Sequence, residues 1–204
     1  MQSSNPTKLN TSKRTLLLVL LIFALPALVA TAMYITGWRP AATANHGDLI
    51  QPARFIEDSV LMTLDNAPFE LSKLHGKWTM IYFDTAACPE VCIKQLYLMR
   101  QTHIAQGKDQ NRLQRIFILT DSEALPSLKE KLAEYAEMPV LKAEQVVLAK
   151  LKQDFGIDNQ AKIEPRNIYL LDPQGNLMMR YTLGVDPAGI RKDLVRLLKY
   201  SSEK

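Results

Sequence analysis

The chain has 204 residues, enough for one folded domain with additional segments, and its 47% hydrophobic and 23% charged content is that of a globular protein rather than a disordered one. The formal charge of +4 has a local origin: Lys8, Lys13, Arg14 and Arg39 precede the first acidic residue, Asp48, and removing these four from the 25 basic residues leaves 21 against 21 acidic ones. A balanced remainder without a basic cluster excludes nucleic-acid binding through a charged face.

Residues 1–14 are polar, end on Lys13-Arg14 and carry no apolar periodicity, which reads as a short cytoplasmic tail. From Thr15 to Gly37 the chain is uncharged and almost wholly apolar, long enough to cross a hydrocarbon layer about 30 Å thick. Pro26 is compatible with a membrane helix. Three basic residues lie before this run and Arg39 alone after it. The N-terminus is therefore expected inside, and the rest of the chain in the periplasm, held by one helix in the inner membrane. Ala30-Thr31-Ala32 also fits a signal-peptide cleavage site, but Met33-Tyr34-Ile35 extends the run to a full span and favours a retained anchor. Residues 38–49 read as a small-residue linker in which His46 is solvated.

The globular domain is expected over residues 50–200. Met62–Leu64 and Phe69–Leu71 flank the turn residues Asp65-Asn66-Ala67-Pro68 and read as a hairpin. His75 falls in a turn before Trp78–Phe83, a buried strand, and Leu113–Leu119 is a second. Helices are expected over Pro126–Tyr135 and Glu144–Phe155, the latter stopped by Gly156. Asn167–Leu171 and Leu177–Thr182 form an antiparallel pair around Asp172-Pro173-Gln174-Gly175. A last helix starts at Asp186-Pro187 and carries the stripe Ile190, Leu194, Leu197 and Leu198. Met178 and Met179 are adjacent in a strand, point to opposite faces and read as packing.

The two cysteines of the chain, Cys88 and Cys92, stand where the strand Trp78–Phe83 gives way to a helix. Pro89 suits the first helical position, which puts Cys88 at or beside the N-cap. Residues at i and i+4 share a helix face, so the two sulfurs can form a disulfide or clamp one soft metal ion. The positive end of the helix favours a thiolate at Cys88. Cys88 is thus expected to be the exposed, attacking thiol and Cys92 the buried, resolving one. A passive staple explains the spacing poorly, because closing so small a loop yields little entropy. The order strand, helix, strand, helices, strand, strand, helix is an α/β, thioredoxin-like layout: a central mixed sheet flanked by helices, behind a transmembrane helix.

Residues 45–200 resemble the Sco/SenC proteins of the thioredoxin superfamily. The resemblance rests on Cys88-Pro89-Glu90-Val91-Cys92, on Ile118-Leu119-Thr120-Asp121, and on Ile168-Tyr169-Leu170-Leu171-Asp172-Pro173-Gln174-Gly175. It implies a membrane-tethered thiol–disulfide oxidoreductase that assists assembly of the copper centre of cytochrome c oxidase. Its partners would be the copper-binding oxidase subunit and a periplasmic thiol reductant. The alternatives are a metallochaperone holding Cu(I) on Cys88 and Cys92, or a non-catalytic assembly scaffold. In the family a histidine just before the third strand completes the copper site; here that position falls at about Glu164, with no histidine nearby. His103, eleven residues past Cys92, lies about 16 Å further along the helix and is no substitute. Pro165 occupies the place where thioredoxin-like proteins carry a substrate-positioning proline. Two thiolates suit Cu(I), whereas Cu(II) would lack its imidazole.

Overall fold

The computed structural model describes residues 8–37, 45–135, 137–157 and 166–201. The chain divides into two units, Met1–Ala44 and Asn45–Lys204.

In the first unit, helix α1 (Lys8–Thr36) contains Lys13–Thr36, which is long and apolar enough to cross a membrane, about 36 Å at the helical rise. Its threonine hydroxyls bond within the helix, Thr31 Oγ1 to the Ala27 carbonyl and Thr36 Oγ1 to the Ala32 carbonyl, both at 2.8 Å. This is how a hydroxyl is satisfied in lipid.

The second unit is built on one mixed sheet. Its strands are β1 (Asp48–Phe55), β2 (Val60–Thr63), β3 (Pro68–Glu70), β4 (Trp78–Asp84), β5 (Leu113–Leu119), β6 (Val140–Lys142), β7 (Ile168–Leu171) and β8 (Asn176–Tyr181), in the order β1-β8-β7-β4-β5-β6-β2-β3. Strands β4, β5 and β6 are parallel neighbours; the other pairings are antiparallel. The helices are α2 (Glu90–Ile104), α3 (Leu125–Lys131), α4 (Gln145–Asp154) and α5 (Pro187–Tyr200). The expected sheet, hairpin and final helix are present. The helix expected over Pro126–Tyr135 ends at Lys131 and continues as a 3-10 turn, Ala133–Tyr135.

All seven residues of β4 are buried, as suits a strand covered on both faces. Met80 and Tyr82 enter the layer shared with α2, α3 and α5, which contains Cys88, Cys92, Leu96, Leu128 and Leu194. Ile81 and Phe83 enter the opposite layer with Leu151 of α4 and Phe155, the residue that ends that helix. There Phe83, Phe155 and Tyr169 form an edge-to-face trio with ring centroids 5.0–5.9 Å apart.

Two features depart from the sequence reading. Strand β1 begins at Asp48, inside the segment read as linker, and lies antiparallel on β8. His46 is exposed, as expected, but not free: its Nδ1 lies 3.1 Å from Asp193 Oδ1, and its backbone N–H donates to Asp193 Oδ2 at 2.8 Å, beside the Gly47 N–H at 3.1 Å. Asp193, on α5, is 1% exposed, so these donors satisfy a carboxylate that burial would otherwise penalise. A Cβ on Gly189 would come within 2.6 Å of the His46 ring, so glycine is what lets the histidine lie against α5. The neighbouring Tyr181 hydroxyl is pushed far above the usual phenol range by burial and then by the negative charge of Asp193.

Replacing Asp193 by Ala removes the acceptor of two buried N–H groups. The expected outcome is a loss of about 2–3 kcal/mol in the unfolding free energy of this unit, read from urea denaturation.

Candidate functional site

The last residue of β4 begins the site. Asp84 is 1% exposed, and its Oδ2 accepts from the Tyr82 hydroxyl at 2.7 Å while its Oδ1 accepts from the Thr85 N–H at 2.8 Å. Arg166, the first described residue before β7, places Nε 3.4 Å from the same Oδ2, an ion pair without hydrogen-bond geometry. Gln95 of α2 donates to the Arg166 carbonyl at 2.8 Å and so ties that segment to the cysteine-bearing helix.

Beyond Asp84 the backbone is gripped residue by residue. The Ala86 N–H donates to Asp121 Oδ1 at 2.9 Å. The Cys88 N–H donates to the Thr85 carbonyl at 3.1 Å, closing a turn. Lys131, the last residue of α3, donates from Nζ to the carbonyls of Ala87 at 2.6 Å and Cys88 at 3.1 Å. Within this frame Cys88 has φ +35°, in the left-handed region that a non-glycine residue rarely adopts.

The structure brings the two cysteines together as a disulfide, their Cα atoms 5.1 Å apart. The local details correct the sequence reading in two ways. Pro89 is the N-cap and not the first helical residue, so Cys88 stands beside the N-cap, two positions before α2, whose first turn receives no side-chain cap. Cys88 is also not exposed: it is 1% exposed and Cys92 0%. The left-handed turn directs the Cys88 sulfur into the apolar layer, while Ala87, Pro89 and Glu90 take the solvent-facing positions.

Pro165 and Glu164 lie outside the described residues. The three histidines are committed elsewhere. His46 is held by Asp193, and a Cβ on Gly175 would meet His75 Nε2 at 2.6 Å, which places His75 against the β7–β8 turn. His103 Nε2 bonds the Leu113 carbonyl at 2.9 Å. Among the described residues no group of three or more His, Cys, Asp or Glu side chains could hold a metal ion. Among the described residues, the donor set at the pair is two sulfurs. Once reduced, they fit Cu(I), which accepts two thiolates, and do not fit Cu(II). Asp121 belongs to the motif Ile118-Leu119-Thr120-Asp121, but its contact with Ala86 depends on the parallel pairing of β4 with β5, and no local signal in the sequence marks Lys131.

Burial, and then the nearby positive charge of Arg115, lowers the pKa of His103 despite its bond to Leu113. A histidine depressed in the folded state contributes stability that is present above its unfolded pKa of about 6.5 and lost as pH falls. Wild type should thus lose stability between about pH 7 and about pH 5 more steeply than His103→Gln, as urea midpoints across that range will show.

A family model described as transmembrane-like, thioredoxin-like, C-terminal domain matches residues 78–201. A protein of Stutzerimonas stutzeri, whose name marks it provisionally as copper-binding, is 27% identical over 176 residues, 84% of this chain and 83% of its own length. Among solved structures, copper-bound ScoI of Bradyrhizobium japonicum superposes with a TM-score of 0.56 at 24% identity, covering 69% of this chain and 97% of that one. Yeast Sco1 gives 0.61 at 19% identity, covering 72% and 98%. The thioredoxin-like fold and the resemblance to Sco/SenC proteins are borne out at the level of fold.

Replacing Asp121 by Ala leaves the Ala86 N–H without its acceptor, for an expected loss of about 1 kcal/mol. Amide hydrogen exchange should quicken at Ala86 and Cys88 and stay unchanged in α5.

Proposed function

Because the chain belongs to the transmembrane-like, thioredoxin-like C-terminal domain family, we propose that it is a membrane-anchored thiol–disulfide oxidoreductase facing the periplasm, which keeps the cysteines of a copper-site subunit of cytochrome c oxidase competent to receive metal. The observation that carries this reading is the Cys88–Cys92 bond at the β4–α2 turn, with no described imidazole beside it.

In the reduced protein the Cys88 thiolate attacks one sulfur of the target disulfide and one target cysteine leaves as a thiolate. Cys92 then attacks the Cys88 sulfur, releases the second target cysteine and forms the intramolecular bond. Two electrons pass to the target. A periplasmic dithiol restores the pair and is itself oxidised to a disulfide. With Cys88 1% exposed, approach of either partner requires the loop to shift, and the Lys131 contacts to Ala87 and Cys88 are what must yield.

A second reading takes Cu(I) as cargo on the reduced pair, supported by the two soft donors and by the provisional name of the Stutzerimonas relative. Oxidation of the pair removes both donors, so this reading also needs the reductant.

Cys92→Ser is expected to accumulate a mixed disulfide between Cys88 and a periplasmic protein, seen as an adduct released by dithiothreitol after pull-down. Absence of any such adduct, together with stoichiometric Cu(I) retention by the reduced wild type against a strong chelator and its loss in Cys88→Ala, would favour the cargo reading. A Cys88→Ser, Cys92→Ser double variant that still supports oxidase assembly would leave only a scaffold.

A further inference from the structure

Arg115 is the third residue of β5, and its neighbours at alternate positions, Leu113 and Phe117, lie in the apolar layer beneath α2. The residue is 6% exposed. Among the described residues it forms no hydrogen bond and no ion pair, and Nη1 is sealed from solvent without a partner. Guanidinium does not shed its proton under physiological conditions, so a fixed positive charge sits in the domain, offset by the charge of the exposed Glu137 carboxylate and held by no direct bond among the described residues. Burial accordingly holds its pKa below the ordinary value, the largest effect upon it.

The two buried carboxylates, Asp84 and Asp193, are treated differently. Asp84 receives Tyr82 and Thr85, and Asp193 receives His46 and Gly47. Arg115 instead lines two open clefts. One lies between α2 and the Ala133–Tyr135 turn and includes Arg100, whose guanidinium stands over the Tyr135 ring at 6.0 Å. The other reaches Lys73, whose ammonium stands over Phe69 at 5.9 Å.

The charged and titratable groups lining these clefts are Arg100 and His103 from α2, Arg115 from β5, Lys73, Tyr135 and Glu137. His103 is a wall and not a ligand, since Nε2 meets the Leu113 carbonyl and Nδ1 meets Gln110 Nε2 at 3.3 Å. Glu137 is exposed and makes no ion pair with Arg115. Among the described residues, three cations face one carboxylate across these clefts.

We propose that the cleft floored by Arg115 is a binding site for a small oxoanion, a phosphate or carboxylate group, which supplies the acceptor the guanidinium lacks. Its planar fork suits two parallel bonds to such a group, and Arg100 faces the same space from α2. The site is separate from the disulfide. Arg115 pairs with Met80 in the β4–β5 register while Leu119 pairs with Asp84, which sets it about 13 Å back along the strand from the cysteine end.

The test is isothermal titration calorimetry of the full chain in detergent with inorganic phosphate and, separately, with citrate, each against chloride at matched ionic strength. Saturable binding of at least one anion is expected, and the comparison assigns the class. Arg115→Met should weaken it about tenfold or more, the worth of a charged bidentate contact. Glu137→Gln, an exposed change that leaves the fold alone, should tighten it several-fold by removing the competing carboxylate. The proposal is overturned if neither anion binds saturably, if binding persists unchanged in Arg115→Met, or if Glu137→Gln binds no better than wild type.

Discussion

A cysteine held in the left-handed region is the constraint on which the site depends. Such a conformation in a non-glycine residue costs on the order of 1 kcal/mol or more and persists only where the surroundings impose it. Here charges of opposite sign take opposite sides of one short run of backbone. Carboxylates of Asp84 and Asp121 accept from the N–H groups of Thr85 and Ala86, and the Lys131 ammonium collects the carbonyls of Ala87 and Cys88. Parallel pairing makes this possible. Since Asp84 is in register with Leu119, the loops leaving β4 and β5 emerge side by side, and Asp121 arrives beside Ala86 without any further device.

The parts of this arrangement that were legible in the sequence are those with a local cause. The continuous apolar run of β4 and the four-residue cysteine spacing both depend on near neighbours alone, as does the proline-capped stripe of α5. What was not legible depends on distant partners. His46 reads as a linker histidine because Asp193 lies 147 residues away. Strand β1 reads as nothing regular because its residues are mostly exposed, include Pro52 and show no alternation; it is a strand because β8 offers it an edge. Three-residue β6 is too short to announce itself. The exposure expected of Cys88 failed for a different reason. Helix position was inferred from Pro89, and a shift of one residue turned the side chain from the helix mouth into the core.

Burial of charge separates the three polar sites of the domain. Asp84 and Asp193 are each enclosed with donors that leave little unmet, so both are elements of structure: one anchors the turn before the cysteines, the other fastens the entry of the chain to α5. Arg115 is enclosed to nearly the same degree and receives no hydrogen bond or ion pair among the described residues. Without a direct bond of its own among the described residues, Arg115 has room beside it for a group from outside the chain, and the described cations of the adjoining clefts favour an anion there.

The chemistry proposed for the sulfur pair follows from the same accounting of partners. Two thiolates held beneath the β4–α2 turn are a donor set for Cu(I) and a reductant for a disulfide, and only the first use gains from a neighbouring imidazole. Each described histidine is engaged elsewhere by a bond or close contact of its own, so moving one to the pair would break an existing interaction as well as form a new one. Electron transfer needs none of them. It needs two sulfurs that can reach each other, a turn that returns to the same geometry after each cycle, and a cover that yields to a partner. Asp121, Thr85 and Lys131 supply the turn, and the contacts of Lys131, made by a long exposed side chain, are those most readily released. On the function proposed above, thiol exchange is the primary use of the pair, and copper is a passenger only while the bond is open.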